Sequence, residues 1–213
     1  MSSTLHSPTT QEFGNGTQRR IGITGGIACG KSSVELFLKK IQSIPILDAD
    51  VFAHEALGPK EAATKTVLER YGSRVISSIS NNSIIINRSS LSKIIFEDLK
   101  EKAWLENLLH PIIKNKLKEG IKKEKNSPTI ILIIPLLFEA KLEYLCSEVW
   151  VISCKQEQQL QRLMERDYLT KEEAIGRINS QWSISKKQRL ADVIIDNSGG
   201  KGEWESHIRS LVS

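Results

Sequence analysis

The chain is short of several things that would have narrowed its role at once. Only three of its 213 residues are cysteine, Cys29, Cys146 and Cys154. Their odd number and spacing match neither a disulfide framework nor a zinc site, which points to a reducing cytoplasm. No apolar run approaches the roughly 18 to 20 residues that a membrane helix needs. The longest, Ile130 to Phe138, is broken by Pro135 and suits a buried strand. Residues 1–18 carry no hydrophobic segment of a secretory signal, and no arginine precedes Arg19, which argues against a transit peptide. They are expected to form a disordered extension. Also missing are an Asn-Lys-x-Asp guanine signature, a recognition helix for nucleic acid and an aromatic stacking motif. No internal repeat and no linker divides the chain.

What is present is ordinary globular material, 39% hydrophobic and 26% charged, enough for one α/β domain with a continuous core. The formal charge of +5 favours anionic partners without choosing among them. Much of the excess reads as a solvated helix face around Lys114–Lys118 and Lys122–Lys125. Apolar strand-like runs (residues 20–24, 44–47, 129–134, 148–153 and 192–195) alternate with helical patterns, the sign of βαβ units and a parallel sheet. The helices are expected over 32–41, 61–71, 88–97, 101–109, 171–182 and 201–212. Thr170-Lys171-Glu172-Glu173 has the form of a capping box. His110-Pro111 reads as a helix boundary, because proline pushes the preceding residue out of the α region. The segment 60–128 is too helical for a plain crossover and is expected to form an inserted helical layer, with Asn81-Asn82-Ser83 as a turn.

The densest chemistry is Gly25-Gly26-Ile27-Ala28-Cys29-Gly30-Lys31-Ser32, after the first strand and before the first helix. It fits Gly-x4-Gly-Lys-Ser/Thr in the context that gives the pattern meaning. The glycines let the main chain turn tightly and aim N–H groups at phosphate oxygens, beside the positive end of a helix. Lys31 supplies a point charge for the β- and γ-phosphates of a nucleoside triphosphate, and the Ser32 hydroxyl a ligand for Mg²⁺. Cys29 sits where a helix N-terminus would make a thiol reactive, although its side chain is expected to point away from the phosphates.

Three carboxylate positions close apolar runs: Asp48 with Asp50, Glu139, and Asp196. In an open parallel sheet, ligands lie beyond the carboxyl ends of the strands. If Asp48-Ala49-Asp50 is extended, both carboxylates face one way, one for the metal shell and one to take a proton from an acceptor hydroxyl. The plainer alternative makes Asp50 the cap of a helix from Val51 and Asp48 a strand end. Asp196 is followed by Asn197-Ser198-Gly199-Gly200, a turn suited to a base or sugar. From Leu160 to Arg189 the chain is rich in cations: Arg162 and Arg166 on one helix face, then Arg177, Lys186, Lys187 and Arg189. They read as a mobile basic flap over the phosphates.

Together these residues resemble the dephospho-CoA kinases, which catalyse the last step of coenzyme A synthesis. The likeness rests on Thr24-Gly25-Gly26-Ile27 with Gly30-Lys31-Ser32, Leu47-Asp48-Ala49-Asp50, Trp104-Leu105 with Leu109-His110-Pro111, and Pro135-Leu136-Leu137-Phe138-Glu139. It continues through Arg162 with Arg166-Asp167, Arg177 with Gln181, and Ala191-Asp192 through Asn197-Ser198-Gly199. The resemblance implies a P-loop NTPase kinase fold with a five-stranded parallel sheet, a helical acceptor insertion and a lid. The core would take residues 19–58, 129–154 and 191–213, the insertion 59–128 and the lid 155–190. It implies transfer of the ATP γ-phosphoryl group to the ribose 3′-hydroxyl of dephospho-CoA, with Mg²⁺ and with neither nucleic acid nor membrane as partner, by a monomer or weak homo-oligomer.

Residue by residue, the resemblance makes Asp50 the base, with Asp48 beside it reaching the metal through water. The nucleotide would be held by residues 25–33, Gly25, Gly26, Ile27, Ala28, Cys29, Gly30, Lys31, Ser32 and Ser33, and by Asn197 near adenine. Arg162 and Arg166 act from the lid, and His110, Leu136, Glu139, Arg177 and Gln181 lie on the acceptor side. Cys29 and Ser33 depart from the serine or glycine and the threonine usual in this loop. The same cradle also serves nucleoside, nucleotide and shikimate kinases, the alternative reading.

Overall fold

The computed structural model describes residues 18–41, 43–80 and 83–212; residues 1–17 of the expected extension and Asn81-Asn82 of the expected turn lie outside them. By its internal contacts the chain forms two compact units, one of residues 1–47 with 119–213 and one of residues 48–118.

The first unit is built on a five-stranded parallel sheet. Its strands are β1 (Arg19–Gly25), β2 (Ile46–Asp48), β5 (Thr129–Ile133), β6 (Glu148–Ser153) and β7 (Val193–Asp196), in the spatial order β2-β5-β1-β6-β7. Ile21 and Ile23 sit level with Ile131 and Ile133 on one side, and Ile23 with Trp150 on the other. These residues join Ile152 and Ile195 on the face covered by α1 (Lys31–Ile41) and α9 (Lys201–Val212). Val34, Phe37 and Leu38 of α1 pack there with Trp204 and Ile208 of α9. The rings of Phe37 and Trp204 meet edge to face at 5.4 Å. The alternate residues Ile130, Leu132, Val149 and Val151 are buried as well. Runs buried on both faces are continuous and apolar, which is why these strands were visible as uninterrupted hydrophobic stretches. β1 lies at the centre, and the strand order reverses around it, so the loop after β1 opens at the switch point of the sheet. The remaining helices of this unit are α6 (Gln156–Asp167), α7 (Lys171–Asn179) and α8 (Ile184–Gln188). At the start of α7, Thr170 and Glu173 form both hydrogen bonds of the expected capping box.

The second unit holds α2 (Ala49–Ala56), α3 (Ala62–Tyr71), an antiparallel hairpin of β3 (Ile76–Ser80) and β4 (Ser83–Ile86), α4 (Arg88–Glu97) and most of α5 (Leu99–Lys123). Two expectations are corrected here. The insertion is not wholly helical, because Ile84-Ile85-Ile86 is β-branched and pairs back on Ile76–Ser80. His110-Pro111 does not end a helix: α5 runs through Pro111 without a break. Proline forfeits one backbone hydrogen bond. The burial of Leu105, Leu109, Leu117 and Ile121, repeated at helical spacing along α5, outweighs that loss. No helix among the described residues is long and apolar enough to cross a membrane.

One polar cluster ties α3 to α5. The Glu101 carboxylate accepts hydrogen bonds from Arg70 Nε (2.6 Å) and Nη2 (2.7 Å) and from the Tyr71 hydroxyl (2.6 Å). The Arg70 guanidinium also stacks 4.5 Å above the Trp104 ring. Arg70, and next Tyr71, hold the Glu101 carboxyl down at about 2, against the opposing effect of burial. A depressed folded value stabilises the folded state fully above the ordinary 4.5, and that contribution is lost as pH falls from there towards 2. The urea midpoint of the native chain should therefore fall more between pH 6 and pH 3 than that of Glu101→Gln; parallel curves would contradict this assignment.

Candidate active site

The loop between β1 and α1 adopts a shape that few residues tolerate. Gly30 has φ of 102°, and a side chain there would collide with the Asn197 amide. Ala28 sits at φ of 59° despite its Cβ, a conformation that costs about 1–2 kcal/mol. Such strain persists only where the surroundings over-determine the backbone, and it concentrates at ligand clamps. Here the surroundings are three amide side chains. Gln181 Oε1 accepts from Ile27 N (3.1 Å), Gln159 Nε2 donates to Ile27 O (2.9 Å), and Asn197 Nδ2 donates to Cys29 O (2.9 Å). Each bond contributes about 0.5–1.5 kcal/mol, and together they fix the loop from three separate elements.

At the far side of the loop α1 begins, with Ser33 N and Val34 N both donating to Gly30 O. The first amides of a helix have no intrahelical acceptor and carry its positive end, so this turn attracts an anion. Lys31 Nζ lies over the loop, donating to Gly25 O (3.1 Å) and Gly26 O (2.7 Å). Ser32 and Ser33 are exposed at the helix start. The arrangement suits a polyphosphate: amides and an ammonium for its oxygens, and a hydroxyl at the rim.

Cys29 is buried in the core, with its thiol between the Gly26 backbone and Cys154. Its Sγ lies 3.4 Å from that of Cys154, beyond β6. The Cys154 thiol, donating to it, draws the Cys29 thiol down to about 7; burial opposes this and the Lys31 ammonium assists. Cys154, as the proton-holding partner, is pushed up by the same bond.

The other anticipated residues fall into separate groups. Arg162 on α6 is half-buried and donates through Nη2 to Asn197 O (3.1 Å), while its Nη1 is buried with no hydrogen-bond partner among the described residues. Arg166 and Arg177 converge on Asp167, at 2.8 Å each. Arg166, and then burial in opposition, sets the Asp167 carboxyl below its ordinary value. Glu139 accepts from Trp182 N (3.0 Å) and pairs with Lys187 (2.9 Å), beside the half-buried Leu136. Asp196 accepts from Ser198 N (2.9 Å), closing the anticipated turn. In the second unit His110 is half-buried on α5.

Asp48-Ala49-Asp50 is not extended, so the alternation argument fails there. The strand stops at Asp48 and the helix starts at Ala49, with Asp48 as its cap through Oδ1 and Asp50 N (2.7 Å). The cap is thus Asp48, and Asp50 is an exposed residue of the first turn. Lys187 is a second correction. Anticipated in a mobile basic flap over the phosphates, it is fully buried, because Glu139 and backbone carbonyls answer its charge. Gln159 went unnoticed altogether. Its signal was a polar residue four before the buried Leu163, in the apolar stripe of α6.

A sequence profile of the dephospho-CoA kinases matches residues 19–203. The chain belongs to the dephospho-CoA kinase family. The dephospho-CoA kinase of Prochlorococcus marinus (strain MIT 9313) is 48% identical over 197 residues, covering 92% of this chain and 97% of the relative. That of Synechococcus sp. (strain CC9605) is 46% identical over 196 residues, covering 92% and 93%. Among solved structures, a dephospho-CoA kinase from Campylobacter jejuni superposes with a TM-score of 0.65 at 27% identity, covering 91% and 94%. A shikimate kinase from Acinetobacter baumannii, at 17% identity and a TM-score of 0.53 over 92% and 93%, shares the P-loop kinase fold alone.

Replacing Gly30 by alanine adds strain of about 1–3 kcal/mol and displaces the Asn197 clamp. Calorimetric titration with tripolyphosphate should show at least a tenfold weaker association for Gly30→Ala, with a cooperative melting transition lowered by up to about 10 °C. Undiminished binding would show that loop shape does not govern the anion site.

Proposed function

We propose that the protein transfers the γ-phosphoryl group of ATP to the ribose 3′-hydroxyl of dephospho-CoA, giving CoA and ADP, the final step of coenzyme A synthesis. One observation carries this reading: the family match spans residues 19–203. It therefore takes in Asp48-Ala49-Asp50 and the 134–139 segment as well as the loop that unrelated kinases share.

In this reading the loop amides and Lys31 hold the triphosphate and stabilise charge on the transferring group, where fixed dipoles cost no reorganisation. Arg162 and Arg166 add positive charge from α6, and the Asn197 turn lies by the nucleotide. Mg²⁺, when bound, would supply positive charge to the phosphate oxygens. The donors that the resemblance assigns to it, the exposed Ser32 hydroxyl and, through water, Asp48, are hard oxygen ligands. Among the described residues no cluster of three or more metal-binding side chains offers a protein cage, as suits an ion held largely by substrate oxygens.

Asp48 caps α2, and Asp50, exposed in the first turn of that helix, is the residue that the family resemblance makes the acceptor of the alcohol's proton. Glu139 offers a buried oxygen, Oε2, that no described group satisfies. A donor on the acceptor substrate would relieve that cost. His110, Leu136, Arg177 and Gln181 complete the acceptor side in this proposal. The core, acceptor insertion and lid keep the boundaries drawn from the resemblance. The free cysteines fit work in the cytoplasm, as a monomer or weak homo-oligomer.

A coupled assay over a panel of acceptors separates this reading from a nucleoside, nucleotide or shikimate kinase. ATP, Mg²⁺ and dephospho-CoA should yield CoA and ADP, whereas equal or faster turnover of adenosine or shikimate would overturn it. In the same assay Asp50→Asn should slow turnover on the order of a hundredfold, as loss of a general base does, with ATP still bound. An unchanged rate would remove Asp50 from the chemistry.

A further inference from the structure

Lys187 is the one charged side chain with no measurable exposure among the described residues. An ammonium in such a place is tolerated only when each of its three N–H groups finds an acceptor. Lys187 Nζ lies 2.9 Å from Glu139 Oε1, 3.2 Å from Pro135 O, and 3.5 Å from Gly25 O, the last a long hydrogen bond.

Each of these acceptors is shared with a group already placed at the site. Gly25 O also accepts from Lys31 Nζ, the phosphate-facing cation. Pro135 O also accepts from Thr24 Oγ1, the residue before the loop, at 3.0 Å. Glu139 Oε1 also accepts from Trp182 N, whose ring stacks on Phe138 with planes 5° apart. One ammonium on the short helix α8 thus meets the start of the phosphate loop, the end of β5 and the Glu139 carboxylate together. A buried pair serving stability alone would do as well with apolar residues of equal volume. It would have no need to share a carbonyl with Lys31.

We propose that Lys187 is a positioning residue for phosphoryl transfer: held in place by the Glu139 carboxylate, it fixes the Gly25 carbonyl that anchors Lys31 in a single geometry. This rests on the kinase reading above. Lys187 touches no phosphate itself. It acts by setting where Lys31 stands, so its loss should appear in turnover and in triphosphate affinity rather than in recognition of the alcohol.

Two variants test it. Lys187→Arg keeps the charge, but its planar head cannot meet all three acceptors at once. The double variant Lys187→Met with Glu139→Gln removes both charges, leaving no uncompensated ion, and keeps an acceptor for Trp182 N. In whichever folds with a near-native melting temperature, kcat should fall at least tenfold and tripolyphosphate affinity at least threefold. For Lys187→Arg, KM for dephospho-CoA should stay within threefold. Native kcat in either folded variant overturns the proposal. So does a loss confined to KM for dephospho-CoA, or failure of both variants to fold, which would make Lys187 a core residue only. Each result is a ratio to the unmodified chain on whichever acceptor that chain phosphorylates. A wrong acceptor assignment would then show in the unmodified chain alone and leave the ratios standing.

Discussion

Three polar groups of the loop after β1 find their partners neither in the sheet it leaves nor in the helix it enters. Ile27 N, Ile27 O and Cys29 O are instead met by Gln181, Gln159 and Asn197. These three side chains come from the segment after α7, from α6 and from the end of β7, so a loop of local sequence depends on distant parts of the chain. The consequence is preorganisation. Amides at the start of α1 are already aimed, and little ordering cost remains when an anion arrives. An Ala28 held at positive φ marks the strain that this arrangement sustains.

The same economy appears around the loop. Arg162, on the helix that carries Gln159, secures the backbone of Asn197, so one clamp supports another. Lys155 N and Gln158 Nε2 both bond Ser198, fastening the turn after β7 to the start of α6. On the opposite side, Glu139 and Lys187 tie the segment after β5 to α8. Positive charge is thus divided between roles. Lys31 lies over the loop, Arg166 and Arg177 are committed to Asp167, and Lys187 is enclosed. A count of cations in the sequence treats them alike, although their surroundings differ entirely.

That difference explains what could be read in advance and what could not. The glycine loop, the strands buried on both faces, the capping box at Thr170 and the helices α4 and α9 have local causes, and local sequence displays them. The run through Pro111 was misread because a local rule against helix met a long-range gain from Leu105, Leu109, Leu117 and Ile121. The hairpin of β3 and β4 was missed because its pairing joins residues across a turn, while its serines masked the alternation. Asp48-Ala49-Asp50 was read as extended although its first aspartate caps a helix, an ambiguity that two carboxylates one residue apart always carry. Lys187 had no signal at all: nothing within a stretch of lysines says which one meets a buried glutamate almost fifty residues away. The ordered set of motifs nonetheless pointed to the right family, because two of the polar residues that clamp the loop, Gln181 and Asn197, are themselves part of it.

The central claim is that the triphosphate, rather than the base, supplies the hold on nucleotide, through a loop shaped beforehand. Calorimetric titration of the protein with ATP and, separately, with AMP, at one ionic strength, tests it most directly. The account predicts ATP bound at least tenfold more tightly than AMP. Equal affinities would contradict it, since they would place the binding energy on the adenosine that both nucleotides share.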